Sequence, residues 1–219
     1  MGDFGPLFYS YKLTMAFPTT NAAQELPAVN EILASVGQAP VITLDQTNPD
    51  VAIAYDTLIN TSREIQAEGW TFNTEEYYEL VPATNGDVDI PNNVLQIDVH
   101  EEKHQTHDAI RRNGKLYDKT AHTYDWSDWE KVQCDIVWFF DWVDLPRPIQ
   151  DYIVARAAAT VSSRITGDAQ QYQVLKQKEL FNRATALEYE CNQGDYTFFG
   201  HQRGSQTYTA YKPYTALSR

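Results

Sequence analysis

The stretch HEEKH at 100–104 has the spacing H-E-x-x-H, in which two histidines on one helix face bind zinc and the glutamate acts as a base. The sequence around it does not predict a helix, because VLQIDV just before it alternates apolar and polar residues like a strand. The interior positions Glu102 and Lys103 are both charged, and His107 is too close in sequence to be a third ligand from another element. We predict a solvated polar loop, with a zinc peptidase and adventitious metal binding as the alternatives.

Three acidic pairs could in principle supply the two carboxylates of a glycan hydrolase, which need a defined separation across the sugar. They are Glu75-Glu76, Asp125 with Asp128, and Asp141 with Asp144. With 30 acidic residues in the chain such pairs arise by chance, and the sequence does not supply their separation. The neighbouring Trp126, Trp129 and Trp142 fit a core as well as a sugar platform. We therefore predict no catalytic residue, and a glycan hydrolase remains an alternative.

The net charge of −13 is placed unevenly along the 219 residues. Up to Glu102 there are 16 acidic residues against Lys12 and Arg63, whereas from Lys103 onward 14 acidic residues face 15 basic ones. Binding to nucleic-acid phosphates requires clusters of lysine and arginine, so this balance does not favour a nucleic-acid-binding protein. The sequence also lacks a glycine-rich phosphate loop and a nucleophile elbow.

Several features predict a protein made in a cytoplasm. No stretch of about 18 uninterrupted apolar residues is present, so we expect no membrane span. The first residues lack a basic region followed by an apolar core, so we expect no secretory signal. Cys134 and Cys191 lie far apart in sequence and are predicted to be reduced, partly buried thiols.

The stretch 25–72 predicts a helical hairpin. In its first helix Pro27 lies in the first turn, where a missing N–H costs nothing, and Gly37 lies where a left-handed cap forms. The pair Asn48-Pro49 caps and starts the second helix, and Gly69 ends it. The apolar faces are Val29, Ile32, Leu33 and Val36 in the first helix, and Tyr55, Leu58, Ile59, Ser62 and Ile65 in the second.

Residues 70–145 predict a β-rich unit of four to six strands. TFNTEEYYELVP and NNVLQIDVHE alternate apolar and polar residues and are rich in β-formers. Asn113-Gly114, between two short alternating runs, predicts a hairpin because a type I′ turn needs positive φ at both central positions. The run KVQCDIVWFFDWV at 131–143 predicts a buried strand with Trp138, Phe140 and Trp142 on one face.

Two further helices follow this unit. The segment 146–148, Pro-Arg-Pro, opens the third helix, and Gly167 ends it. Its predicted face is Ile149, Tyr152, Ile153, Arg156, Ala157 and Val161. The alanine run 157–159 lets another helix pack closely, either within the bundle or from a neighbouring subunit. Asp168 caps the fourth helix, whose predicted inward stripe is Tyr172, Leu175, Leu180, Ala184, Leu187 and Cys191.

The two ends of the chain differ from the rest in composition. Residues 1–24 show no helical or alternating period and predict an extended N-terminal arm, in which Met15 is a second candidate for the native start. Residues 195–219 alternate aromatics with Gly, Ser and Thr and carry one acidic residue. Because exposed aromatics are costly unless a partner covers them, we predict a C-terminal docking tail, with an arm packed on its own domain as the alternative.

The element order of helix, helix, strands, helix, helix predicts an α+β fold. A four-helix bundle is formed by residues 25–69 and 146–194. A β-rich domain, residues 70–145, is inserted between helices 2 and 3, so the first and second helical pairs must meet in space.

Four stretches, in this order and spacing, resemble the tail tubular protein A family of short-tailed, T7-like phages. They are NEILASVGQAPV with the second helix ending in IQAEGWTFN, RRNGKLYDKT at 111–120, LPRPIQDYIVARAA at 145–158, and a polar helix ending in ALEYE at 186–190. The resemblance runs from about Glu25 to about Gly194, with a weaker echo in the closing TALSR. It implies the same fold layout and a structural virion protein that is not an enzyme and holds no cofactor.

The resemblance also implies a set of partners. Family members are head-to-tail adaptors, in which twelve copies form a ring between the capsid portal and the tail nozzle, and DNA passes through the lumen without specific binding. The helical part and the C-terminal tail face the portal and neighbouring subunits, while the β part lies toward the nozzle. Carried over, the portal-interface residues are Tyr196, Phe198, Phe199, Tyr208 and Tyr211, and the nozzle-interface residues are Asn113, Gly114, Trp126 and Trp129.

Two hypotheses follow from that expected assembly. Acidic residues facing the lumen would repel DNA and let it slide through the ring. The cluster to locate is Glu64, Glu68, Glu75 and Glu76, and the alternative is that the acidic charge serves only solubility.

We expect a protein made in the bacterial host cytoplasm and located in the virion tail. The alternative functions are a tail-associated hydrolase, acting on glycans or through the HEEKH stretch as a zinc peptidase, and a monomeric binding module.

Overall fold

The computed structural model describes residues 22–45, 47–100 and 107–194, and it confirms the predicted mixed α+β fold. The helices are α1 (Ala22–Ser35), α2 (Pro49–Gln66), α3 (Arg147–Ile165) and α4 (Ala169–Gln193), with a short 3₁₀ helix at Trp142–Asp144. The strands are β1 (Thr74–Leu80), β2 (Val94–Val99), β3 (Ala109–Arg112), β4 (Lys115–Asp118) and β5 (Val132–Trp138). No helix in this described part has the length and apolar content that a bilayer crossing needs.

The predicted helix caps are present in the structure. The Asn48 side chain accepts a hydrogen bond from the Asp50 amide at 3.1 Å, and the Asp168 side chain accepts one from the Gln170 amide at 2.8 Å. Gly37 takes φ +76° just after α1, the left-handed conformation that glycine adopts without strain. The expected start of α1 was wrong: the helix begins at Ala22, so Pro27 lies inside it rather than in its first turn.

The five strands form two sheets. β5 lies in the middle of a three-stranded antiparallel sheet of order β1-β5-β2, and β3 pairs with β4 in a separate hairpin. At the tip of that hairpin Asn113 has φ +52° and Gly114 has φ +74°, which confirms the turn predicted from this pair.

The prediction that β5 extends to Val143 was wrong. The alternation holds through Trp138, and then the Phe139 amide donates to the Asn93 carbonyl at 2.6 Å and the Phe140 amide to the Gln66 side chain at 2.8 Å. With these bonds the chain leaves the hydrogen-bonding pattern of the three-stranded sheet, and β5 ends at Trp138. Trp142 therefore lies in the 3₁₀ helix and does not share a strand face with Trp138.

α3 is the central helix of the helical part, because it packs against α1, α2 and α4. Ten of its side chains are buried, including the whole predicted face except the half-buried Arg156. The alanine run 157–159 is at most 3% exposed. Of the two roles predicted for these small residues, the structure shows close packing within the chain.

The predicted inward stripe of α4 was wrong for most of its members. Leu180 is 60% exposed and Leu187 is 39% exposed, and Ala184 and Cys191 are also exposed. The inward face instead carries Ala186 together with polar side chains. The expectation of two partly buried thiols was therefore wrong as well, since Cys191 is exposed and Cys134 is fully buried.

Candidate interaction surfaces and the joint between them

Two buried amide side chains join the helical part to the β part. Asn73 donates to the main-chain oxygens of Gln66 at 2.9 Å and Trp138 at 2.8 Å, and it accepts from the Trp70 amide at 2.8 Å. Gln66 donates to the Ser62 hydroxyl at 3.0 Å and accepts from the Phe140 amide at 2.8 Å. Because both side chains are at most 1% exposed, these bonds form without competition from water and hold the end of α2 against the end of β5.

The last turns of α4 are held to the same joint. The Glu190 carboxylate accepts from the Thr71 amide at 2.9 Å and from the Thr71 hydroxyl at 2.5 Å. Hydrogen bonds to an ionised carboxylate are stronger than neutral ones. They place the end of α4 beside the turn that leads into the β part.

The predicted nozzle residues lie on and beneath the β3–β4 hairpin. Asn113 and Gly114 form its tip, and Asn113 is exposed. Trp126 is 1% exposed and donates its indole N–H to the Leu116 carbonyl at 3.1 Å, so any role it has at this surface is to support the hairpin from beneath. Trp129 is half-buried beside it.

A histidine–carboxylate pair also stabilises this hairpin region. His107 Nδ1 lies 2.5 Å from a carboxylate oxygen of Asp118, which also accepts from the Thr120 and Ala121 amides. Burial raises the pKa of Asp118, but the hydrogen bonds from His107, Ala121 and Thr120 outweigh it and hold the pKa below its ordinary value. Asp118 therefore stays ionised and caps the turn that follows β4.

The histidines of the HEEKH region that the structure describes have separate partners. His100 Nδ1 lies 2.8 Å from Asp135 on β5, whereas His107 contacts Asp118 on β4. His104 and the rest of 101–106 lie outside the described residues. Among residues 22–45, 47–100 and 107–194, no group of three or more His, Cys, Asp or Glu side chains could hold a metal ion.

Asp125, one of the acidic residues considered as a candidate site, has a structural partner. Asp125 accepts from the Ser127 amide at 2.9 Å, an interaction that lowers its pKa. A groove of ≈ 260 Å³ between α1, α3 and the 3₁₀ helix is lined by Glu31 and Asp151, among other residues. Both carboxylates are ion-paired, Glu31 with Lys178 at 2.6 Å and Asp151 with Arg147 at 3.0 Å. The groove therefore holds no pair of unpartnered acids for glycan chemistry.

The proposed DNA-repelling cluster is partly neutralised within the chain. Arg156 lies 3.2 Å from Glu64 and 3.6 Å from Glu68, and Glu75 accepts the Trp138 indole N–H at 2.9 Å. Glu76 is exposed. That these four acidic residues face the lumen of a ring stays a prediction.

The predicted portal residues, Tyr196, Phe198, Phe199, Tyr208 and Tyr211, lie outside the described part of the chain. Sequence reasoning missed Gln66, Asn73 and Glu190. Gln66 follows Ser62 by four positions and Leu58 by eight, so its place on the buried face of α2 was the one available signal.

Glu25 is a buried carboxyl in α1 that makes the free energy of unfolding depend on pH. It is 2% exposed, and burial raises its pKa, with a hydrogen bond from Tyr55 opposing the rise and the charge of Asp141 adding to it. The folded state therefore holds this proton more tightly than the unfolded state. The free energy of unfolding falls as pH rises from the unfolded pKa through the folded pKa, and stays lower at neutral pH.

We predict that Glu25→Gln raises the free energy of unfolding by on the order of 1 kcal/mol at pH 7.5, because it removes a buried charge and keeps an acceptor for Tyr55. Near pH 4, where the carboxyl is protonated, the gain should vanish. Urea unfolding at the two pH values measures the difference. Glu31→Gln, at an exposed ion-paired position, is the control and should change stability little. Equal gains at both pH values would contradict the assignment.

Comparison with known proteins adds two findings. A family model described as "Tail tubular protein" matches residues 26–196, which include nearly all of the described fold. The tail tubular protein A of Klebsiella phage KP34 is 25% identical over 171 residues, which cover 78% of this chain and 89% of that protein.

Proposed function

Since this chain belongs to the tail tubular protein family and is a structural component of a phage tail, we propose that it is the head-to-tail adaptor of the virion. In this proposal identical copies, twelve by family expectation, form a ring that joins the capsid portal to the tail nozzle. The observation that carries it is the extent of the family match, which includes the four helices, the inserted strands and the joint between them.

The architecture suits a role based on geometry and interfaces. The helical part and the β part have separate hydrophobic cores, with Ile153 and Leu58 in the first and Trp126 and Leu116 in the second. The buried bonds of Gln66 and Asn73 fix one part against the other. A subunit with two cores and a rigid joint can bind different neighbours at its two ends and transmit their relative orientation.

We assign the helical part, residues 25–69 and 146–194, and the tail 195–219 to the portal side and to neighbouring subunits. We assign the β part, residues 70–145, to the nozzle side, with the exposed Asn113-Gly114 tip as its foremost contact. Trp126 supports that tip from the core, and Trp129 lies half-buried beside it. The aromatic residues of the tail are proposed to dock on the portal.

The channel and the place of synthesis complete the proposal. DNA passes through the lumen without specific binding, which suits an acidic chain whose formal net charge is −13. The chain is made in the bacterial host cytoplasm and becomes part of the virion tail. No enzymatic activity is proposed, because His100 and His107 bond to separate carboxylates and the two acids that line the groove are ion-paired.

The native mass of the particle tests the adaptor proposal. We would measure the full chain by light scattering and negative-stain microscopy, first alone and then after mixing with the portal protein. The expected result is a ring, which forms either in isolation or only on the portal. A stable monomer that ignores the portal would contradict the adaptor function. Metal analysis of the same preparation is the check on the hydrolase alternative, because stoichiometric zinc would support a peptidase.

A further inference from the structure

The outer face of α4 is apolar although it faces away from the rest of the chain. Val174 is 66% exposed, Leu180 is 60% exposed and Phe181 is 71% exposed. Phe181, Ala184, Leu187 and Cys191 recur every three or four positions, and Val174 precedes Phe181 by seven, so these residues share one side of the helix. An amphipathic helix in a monomer normally turns such a stripe toward the core.

The opposite side of α4 explains this orientation, because polar groups hold the helix to the rest of the chain. The Asn182 amide donates to the Asp151 main-chain carbonyl on α3 at 3.0 Å, and Glu190 binds Thr71. Glu179, which is 6% exposed on this side, pairs with Lys176 of the same helix at 2.7 Å. The bonds of Asn182 and Glu190 orient the polar side of α4 toward the rest of the chain, so its apolar side is exposed and available to a partner. A contiguous apolar stripe of this kind marks a protein interaction site.

We propose that the outer face of α4 docks on the α1–α2 side of a second copy of this chain. The receiving surface is the exposed stripe of α2, formed by Ile53, which is 40% exposed, Asp56 and Asn60. This inference rests on the proposed ring and names the contact between its subunits. Because two different faces meet, the contact is heterologous, which is the kind of contact that builds a ring when the rotation between copies closes.

The distribution of charge favours a second copy's α1–α2 side as the partner of the α4 face over the other candidate partners. Residues 22–69 contain seven acidic residues against one basic residue, Arg63, whereas residues 147–194 contain five acidic residues against six basic ones. Along the exposed side of α4, Arg183 has no ion pair among the described residues, whereas Lys178 is already paired with Glu31 of the same chain. Asp56 on the exposed stripe of α2 therefore complements Arg183 on α4, and such complementarity specifies partner and orientation.

The same comparison disfavours two other occupants. Two α4 faces brought together would give a two-fold dimer rather than a ring. The chain's own residues 195–219 carry Asp195 against Arg203, Lys212 and Arg219, so their net charge has the same sign as Arg183 on α4. Asp56 and Arg183 form no ion pair within residues 22–45, 47–100 and 107–194, so both remain open to a neighbour.

The test uses two variants of the full chain, each with one substitution that blocks one of the two faces. Assembly is measured under the conditions in which the unaltered protein forms its ring. Phe181→Asp blocks the α4 face and Ile53→Asp blocks the α2 face. Each variant alone should lose the ring completely by light scattering and negative-stain microscopy, with portal present if the ring needs it. Val81→Asp, at an apolar residue that is 67% exposed in the loop after β1, is the matched control and should keep the ring.

Mixing the two blocked variants gives the sharpest expectation for a ring that forms in isolation. Each retains the face that the other lacks, so an equimolar mixture should form a particle of two copies. Rings formed by Phe181→Asp, or normal assembly by Ile53→Asp, would overturn the proposed contact. A lowered urea midpoint of the Phe181→Asp monomer would overturn it too, by showing that the face is covered within the chain. An unaltered protein that never forms a ring would instead contradict the proposed function itself.

Discussion

Asn73→Ala is expected to lower the free energy of unfolding by about 4 kcal/mol, one of the largest effects of any single polar substitution in this chain. The change removes three buried hydrogen bonds and leaves the Trp70 amide and the main-chain oxygens of Gln66 and Trp138 without that partner. Each main-chain group buried without a hydrogen bond costs about 1–3 kcal/mol. The shift of the urea unfolding midpoint at constant slope measures the loss.

The control for this substitution is Asn192→Ala, because Asn192 is exposed near the end of α4. It should change the free energy of unfolding by less than about 0.5 kcal/mol. A double variant with Gln66→Ala should lose less than the sum of the two single losses, since both side chains belong to one network. A loss below about 1 kcal/mol for Asn73→Ala would contradict the role of the amide as the joint.

Trp126→Ala is expected to destabilise the chain by about 3–5 kcal/mol, because it removes a large buried side chain from the core of the β part and breaks the indole bond to Leu116. Trp129→Ala, at a half-buried position nearby, should cost clearly less. Chemical denaturation of both variants gives the comparison. Trp126→Phe keeps most of the packing and should recover part of the loss.

The two tryptophan variants also separate a structural role from a contact role. If Trp126 acts only through the core, Trp126→Phe should still bind the nozzle protein once folded. Normal stability of Trp126→Ala combined with lost nozzle binding would contradict the structural role and restore Trp126 as a direct contact.

Local signals in the sequence predicted the elements that depend on one or two residues. Asn48 and Asp168 start helices because their side chains satisfy free amides of the first turn, and this chemistry is independent of the rest of the fold. Asn113-Gly114 forms its turn for the equally local reason that both residues tolerate positive φ.

The orientation of α4 and the end of β5 depended on contacts that a periodic pattern does not contain. The apolar stripe of α4 predicted the buried side, yet Asn182 bonds to Asp151 on α3 and Glu190 bonds to Thr71, and these contacts turn that stripe outward. Phe140 alternates correctly with Trp138, but its amide bonds to Gln66, 74 positions earlier, and the strand stops. Long-range hydrogen bonds of buried amides and carboxylates decided these two cases.

The bond between Asn73 and Trp138 has a consequence for how this fold can vary. Trp138 donates its amide to the Asn73 carbonyl at 2.8 Å, so the chain enters and leaves the β part at one point. Residues 74–137 are therefore, in connectivity, a single loop between two adjacent anchors. The entropy cost of closing a loop rises only with the logarithm of its length. We therefore expect insertions, deletions or whole replacements between these anchors to leave the path of the four helices unchanged, so that the β part can be exchanged as a module.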